Sequence, residues 1–129
     1  MTSSSIRHPV RAAACLSVLA GALFLGGAGQ AWAHAHPVQE SPAPGSTVTA
    51  PTQVRITYDD PLEPALSHIN VLGEQGKKVN KAKSEVEDGA HKVMRVALPS
   101  LSAGKYQVQW VAVAADGHRT HGHYTFTVK

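Results

Sequence analysis

The sequence predicts an all-β fold, a sandwich or Greek-key barrel of six or seven short strands. Three observations carry this reading. Several runs of five to ten residues alternate apolar and polar side chains, the period of a half-buried strand. Clusters of Gly, Pro, Asp and Ser punctuate those runs at turn-like intervals. No stretch after residue 33 sustains the 3.6-residue period of an amphipathic helix. Six or seven such strands, closely spaced, point to two packed sheets or a closed barrel.

The first third of the chain has a different character. Residues 1–11 carry Arg7 and Arg11 and no acid. Residues 12–29 are apolar or small, and Gln30-Ala31-Trp32-Ala33 ends in an A-x-A pattern. This order matches the charged, apolar and cleavage regions of a secretory signal peptide. The predicted organisation is therefore a signal at 1–33 and a single exported domain at 34–129. The apolar run is short for a membrane span, and no later run replaces it. Removing 33 of the 129 residues leaves 96, enough for one modest core. Two of the 12 Lys and Arg residues leave with the signal, so 10 face 9 acids in the domain. A net charge so close to zero gives no electrostatic case for nucleic acid. The one cysteine, Cys15, lies at the front of the signal's apolar run, where a lipid-bearing cysteine is not expected. The domain therefore has no disulfide and no thiolate metal site, and Met94 is its one methionine. Histidine is the outlier, at 34, 36, 68, 91, 118, 121 and 123.

Taken in order, Val38 to Pro51 is rich in Ser, Pro, Thr and Gly, and Ser41-Pro42-Ala43-Pro44-Gly45 is turn chemistry. Gln53 to Tyr58 alternates, with Val54, Ile56 and Tyr58 on one face. Asp59-Asp60-Pro61 stops that strand, and Pro61 and Pro64 bracket a loop. His68 to Leu72 is the next strand, with Ile69 and Val71 inward, and Gly73 to Gly76 turns it back. Lys77 to Lys83 reads as the solvated face of a hairpin. Asp88-Gly89 is a second hairpin signal. Lys92 to Leu98 follows with Met94, Val96 and Leu98 in phase. The strongest strand is Lys105 to Ala114, where Tyr106, Val108 and Trp110 alternate with Lys105, Gln107 and Gln109. Ala115 to His118 forms a loop. The last strand, His121 to Val128, turns Tyr124, Phe126 and Val128 inward and His121 and His123 outward.

Several pieces together resemble the CopC family of periplasmic copper-binding proteins. They are His34-Ala35-His36 at the processed end, Ser41-Pro42-Ala43 with Gly45, and Leu62-Glu63-Pro64. Further on come Leu101-x-x-Gly104-x-Tyr106-x-Val108-x-Trp110, Ala115-Asp116-Gly117-His118, and Gly122-x-Tyr124-Thr125-Phe126-Thr127-Val128. The resemblance spans the predicted domain. It implies an immunoglobulin-like Greek-key β-sandwich or barrel of about seven strands that binds Cu(II). It further implies that His34, Asp116 and His118 hold the metal, with His36 as a further candidate ligand. Family members that also bind Cu(I) use a Met-rich loop in mid-chain; Leu72 to Lys83 has no methionine, so no separate Cu(I) site is expected. The family is often linked to CopD, an inner-membrane partner thought to move copper, which here is expected to be a separate protein.

The chemistry of these residues agrees with that implication. Cleavage after Ala33 frees the α-amine of His34, which can chelate one ion together with its own imidazole. Asp116 and His118 stand at i, i+2, which in extended backbone puts both on one face about 7 Å apart. Three nitrogens and a carboxylate oxygen suit the tetragonal preference of Cu(II). Donors of this kind must be deprotonated, so binding is expected to weaken in acid. An Asp-Gly-His triplet is also common in plain turns. His36 has three readings: a ligand beside His34, the third-position histidine of a square-planar wrap through deprotonated amides, or an exposed strand residue. His121 and His123 form either a weaker second site or a solvated pair. His68 and His91 read as surface histidines, and Trp110, Tyr106 and Phe126 as core.

The function expected is that of a non-enzymatic copper carrier or buffer in copper homeostasis or resistance. Two other classes compete. An oxidative enzyme with an N-terminal histidine brace needs a broad substrate surface, and the few aromatics argue against one. An immunoglobulin-like interaction module without metal would leave the histidines incidental.

Overall fold

The computed structural model describes Met1 and residues 34–129, so the expected signal segment lies outside the described residues apart from Met1. Eight strands follow one another: β1 (Pro37–Ser41), β2 (Thr47–Val48), β3 (Gln53–Tyr58), β4 (His68–Leu72), β5 (Glu85–Val86), β6 (Val93–Ala97), β7 (Gly104–Val113) and β8 (Arg119–Val128). They form two four-stranded sheets, ordered β1-β3-β6-β5 and β2-β8-β7-β4. The chain crosses between the sheets repeatedly, which gives the predicted Greek-key sandwich. No helix occurs among the described residues.

The alternation seen in the sequence sets which face of each strand is buried. Val54, Ile56 and Tyr58 of β3 and Met94 and Val96 of β6 are all within 1% of complete burial. The facing sheet contributes Ile69, Val71, Tyr106, Val108, Trp110, Tyr124, Phe126 and Val128. Each large side chain so buried stabilises the fold by about 1.5–3 kcal/mol relative to exposure. Tyr106 stacks on Phe126 with ring centroids 5.7 Å apart, and Tyr58 meets Trp110 edge-on at the same distance. Gly122 lies directly against the Trp110 indole, where a Cβ would stand 2.6 Å from Cζ2.

The long hairpin of β7 and β8 is the frame on which the rest is hung. Ten residue pairs run in unbroken register from Gly104↔Val128 to Val113↔Arg119. β8 therefore begins at Arg119, two residues before the expected start, and its first turn connects straight to the Asp116 loop.

One departure concerns non-local pairing. No strand was expected between Val38 and Pro51, yet β1 and β2 flank the expected turn at Ser41 to Gly45. β1 is an edge strand with a register shift between Pro37 and Gln39 against β3, so its burial does not alternate. β2 has two residues and pairs in parallel with the far end of β8. Gly45, at φ +72, makes the bend that lets its amide donate to the Thr125 carbonyl at 2.7 Å. Neither strand has a local pattern to announce it. Lys77 to Lys83 folds back on β4 as the expected hairpin face: Lys78 bridges Leu72 antiparallel, and Lys77, Lys78, Lys81 and Lys83 are exposed. Asn80 bonds the backbone of β4 with its side chain: Val71 N donates to Oδ1 at 2.7 Å and Nδ2 donates to the Ile69 carbonyl at 2.9 Å.

Candidate metal centre

Two segments far apart in sequence meet at one end of the sandwich. The first is the arm His34-Ala35-His36 leading into β1. Ala35 is fully buried, and its carbonyl accepts a hydrogen bond from Thr120 Oγ1 at 2.7 Å. His36 is fixed through its backbone: its N–H donates to Asp59 Oδ1 at 2.7 Å and its carbonyl accepts from Asp59 N at 3.1 Å. The arm is thus pinned to the end of β3 on one side and to β8 on the other. Its two imidazoles are left near one another, with ring centroids 6.2 Å apart and planes at 12°.

The second segment is the β7–β8 connection. Gly117 N donates to the Ala114 carbonyl at 2.8 Å, and Ala114 N donates to the His118 carbonyl at 2.8 Å. Gly117 takes φ +90, a left-handed value that most side chains resist. Asp116 and His118 therefore sit on a tight turn within the loop expected from Ala115 to His118, and not on the extended backbone for which their spacing was reckoned. Asp116 Oδ1 accepts from His118 N at 3.0 Å, and Oδ2 lies 2.7 Å from His118 Nδ1. The loop after β3 braces this turn from outside. Leu62 plugs into the core, Glu63 N donates to the Val113 carbonyl and Ala115 N donates to the Pro61 carbonyl. That accounts for Leu62-Glu63-Pro64 physically, as a support for the Asp116 loop.

His34 closes the cluster. Its ring stacks on His118 with centroids 5.0 Å apart and planes at 19°. Asp116 feels this surrounding. The bond from the His118 amide, then that from its ring, hold the Asp116 carboxyl below its ordinary range. Slight desolvation opposes them, and the charges of His118 and His34 add to the lowering.

Of the residues expected at a metal site, the fold brings His34, Asp116 and His118 together and sets His36 alongside. Among the described residues, no three His, Cys, Asp or Glu side chains stand in an arrangement that could hold a metal ion. The physical reason lies in the state of the arm. With Ala33 still attached, the His34 nitrogen is an amide and not a free amine, and the imidazoles of His34 and His118 stack face to face. His121 and His123 are exposed on the outer face of β8, and His68 is exposed at the start of β4. His91 is half-buried in a turn at φ +52, with its carbonyl accepting from Leu62 N. Sequence reasoning missed Thr120 and Asp59, which position the arm. Asp59 had been read only as a strand stop, and no local pattern marks a hydroxyl that bonds a carbonyl 85 residues away.

An immunoglobulin-like sandwich with histidines and a carboxylate gathered at one end defines the class. The CopC domain family matches residues 37–129. Protein YobA of Escherichia coli K12 is 35% identical over 100 residues, covering 76% of this chain and 81% of that one. The crystal structure of CopC from Methylosinus trichosporium OB3b superposes with a TM-score of 0.69 at 31% identity, covering 74% of this chain and 94% of that one. PcoC, a methionine-rich copper resistance protein from Escherichia coli, superposes with a TM-score of 0.65 at 30% identity, covering 74% of this chain and 99% of that one. The chain belongs to the CopC family.

Proposed function

We propose that the chain is a periplasmic Cu(II) carrier or buffer, with its ion held by His34, Asp116 and His118 after cleavage behind Ala33. One observation carries the reading: the His34 ring lies 5.0 Å from that of His118, which is itself 2.7 Å from the Asp116 carboxylate. The donor set suits the metal. Imidazole nitrogen and carboxylate oxygen are borderline-to-hard donors that favour Cu(II) over Cu(I), and Met94, the one methionine after residue 33, is fully buried in the core. The spacing suits it as well. Two donors on adjacent corners of a tetragonal site with bonds near 2 Å stand about 2.8 Å apart. The Asp116–His118 separation is 2.7 Å, so an ion can take the place of the shared proton with little movement of the turn. Cleavage supplies the remaining donor by turning the His34 amide into an amine.

The arm favours one of the readings of His36. A square-planar wrap would require the amide nitrogens of Ala35 and His36 to lose their protons and turn to the metal. Ala35 is fully buried with its carbonyl tied to Thr120, and the His36 N–H is held by Asp59. The wrap must break both bonds and pull the arm from the sheet. In the folded protein His36 is then a neighbour of the site whose imidazole can join or shield the ion. Delivery of the copper to a separate inner-membrane partner of the CopD kind completes the reading, on the family resemblance alone.

The test is electron paramagnetic resonance with a Cu(II) titration of the exported, processed protein. The expected result is one tight ion with nitrogen and oxygen ligation, lost in His118→Ala and in a form that carries one extra residue before His34. Undiminished affinity in the extended form would sink the amine–imidazole chelate. A spectrum that survives His118→Ala unchanged would favour the wrap through His36.

A further inference from the structure

We infer that the outer face of β8 carries a second, weaker Cu(II) site formed by the imidazoles of His121 and His123. The inference rests on the proposed function only for the identity of the ion. Both histidines are exposed and lie at i, i+2 on a regular strand, so they project from one face with Cα atoms about 7 Å apart. That spacing lets two imidazoles reach one ion between them. Gly122, which separates them, faces inward onto Trp110 and contributes no side chain to the outer surface.

The surroundings favour occupation by a cation that brings its own remaining ligands. His121 stands opposite Val111 and His123 opposite Gln109 on β7, so neither faces a charged group across the pair. The Gln109 amide is turned along its own strand, where Nε2 donates to Gln107 Oε1 at 3.1 Å. The other edge of β8 is paired by β2 only at Thr127 and Val128, which leaves the flank of His121 and His123 without a strand neighbour. The two imidazoles, Arg119, Gln109 and Val111 line a shallow depression open to solvent. His68 is separated from His121 by Val111, which pairs with both and stands between them, two strand spacings or about 10 Å apart.

Two features make this site the weaker one. It offers two donors, whereas the processed arm and the Asp116 turn together offer four. Arg119 projects from the same face two residues before His121, so its guanidinium repels the ion. A unit charge and a dication about 7 Å apart in a water-like medium change affinity by about tenfold at low ionic strength.

The experiment is a Cu(II) titration of the exported full chain, followed by calorimetry and electron paramagnetic resonance, on four proteins. The wild type should take up two ions of distinct affinity, the weaker with two-imidazole ligation. His121→Ala/His123→Ala should lose the weak ion and keep the tight one. His118→Ala should keep the weak ion. Arg119→Gln should tighten the weak site by about tenfold at low salt. Uptake of a single ion by the wild type, retention of the weak ion by the double variant, or the same weak affinity in Arg119→Gln would overturn the inference. A tight ion that survives His118→Ala would instead overturn the primary site and leave this one standing.

Discussion

Gly117 and Gly122 flank the start of β8 and answer differently to the same substitution. A Cβ on Gly117 meets nothing within 4 Å, but the residue holds φ +90. Gly117→Ala should therefore cost about 1 kcal/mol of backbone strain and slacken the turn that joins Asp116 to His118. Gly122 has no such angle; its Cβ would stand 2.6 Å and 2.9 Å from two atoms of the Trp110 ring. That ring is rigid and backed by Tyr58, so Gly122→Ala should destabilise by overpacking, at about 1–3 kcal/mol. Denaturant unfolding of the pair checks both, with tryptophan emission expected to change only in the second. Asp116 carries the pH argument at this scale. Its folded pKa is lowered mainly by its bonds to His118. The pairing thus adds stability above the unfolded value of about 3.9 and loses it as pH falls through the lower folded value. A carboxyl carbon titration of the metal-free protein should place Asp116 below the ordinary aspartate value of about 3.9, and Gly117→Ala should move it back toward that value.

At the level of the strand, side-chain alternation was the most legible signal in the sequence. Val54, Ile56 and Tyr58, then Met94, Val96 and Leu98, then Tyr106, Val108 and Trp110, and finally Tyr124, Phe126 and Val128 all point inward as their spacing requires. The period is two, and a shift of one residue would expose every one of them. Phe126→Ala should accordingly cost about 3–5 kcal/mol, while Lys105→Ala on the outer face should fall within about 0.5 kcal/mol of wild type by denaturant unfolding. β1 and β2 were illegible for the same reason. β1 has a bulge and one open edge, and β2 is two residues long, so neither shows the period. What makes them strands is the backbone of β3 and β8 beside them, which a local reading does not contain. The Asp116 turn was half legible. Its residues were identified as a loop, but the left-handed angle of Gly117 and the 2.7 Å contact between the Asp116 and His118 side chains have no local signal.

Across the whole molecule, the candidate centre depends on joining the two ends of the domain. The chemistry of His34, Asp116 and His118 could be read from residue types and from the family resemblance. The means of assembly could not, because it rests on contacts such as Thr120 to Ala35, 85 residues apart. That bond holds the arm against β8. Thr120→Val keeps the shape and removes the hydroxyl, so it should cost about 1 kcal/mol of stability and release the arm. Copper affinity should fall with it by roughly the fivefold that this free energy represents, measured by competition with a chelator of known affinity. An unchanged affinity would mean that the arm is held by Asp59 alone.

Asn80 has a further consequence outside metal chemistry. β4 ends its sheet, and an exposed sheet edge is a template on which a second chain can add a strand. Here the outward backbone groups of β4 are already taken. Ile69 N donates to Ser84 Oγ, Val79 N donates to the Val71 carbonyl, and Asn80 occupies the remaining pair with its amide. A loop that reads as a plain basic hairpin thus seals the molecule against polymerisation. Asn80→Ala should uncover that border, and its first symptom should be concentration-dependent light scattering in the metal-free protein.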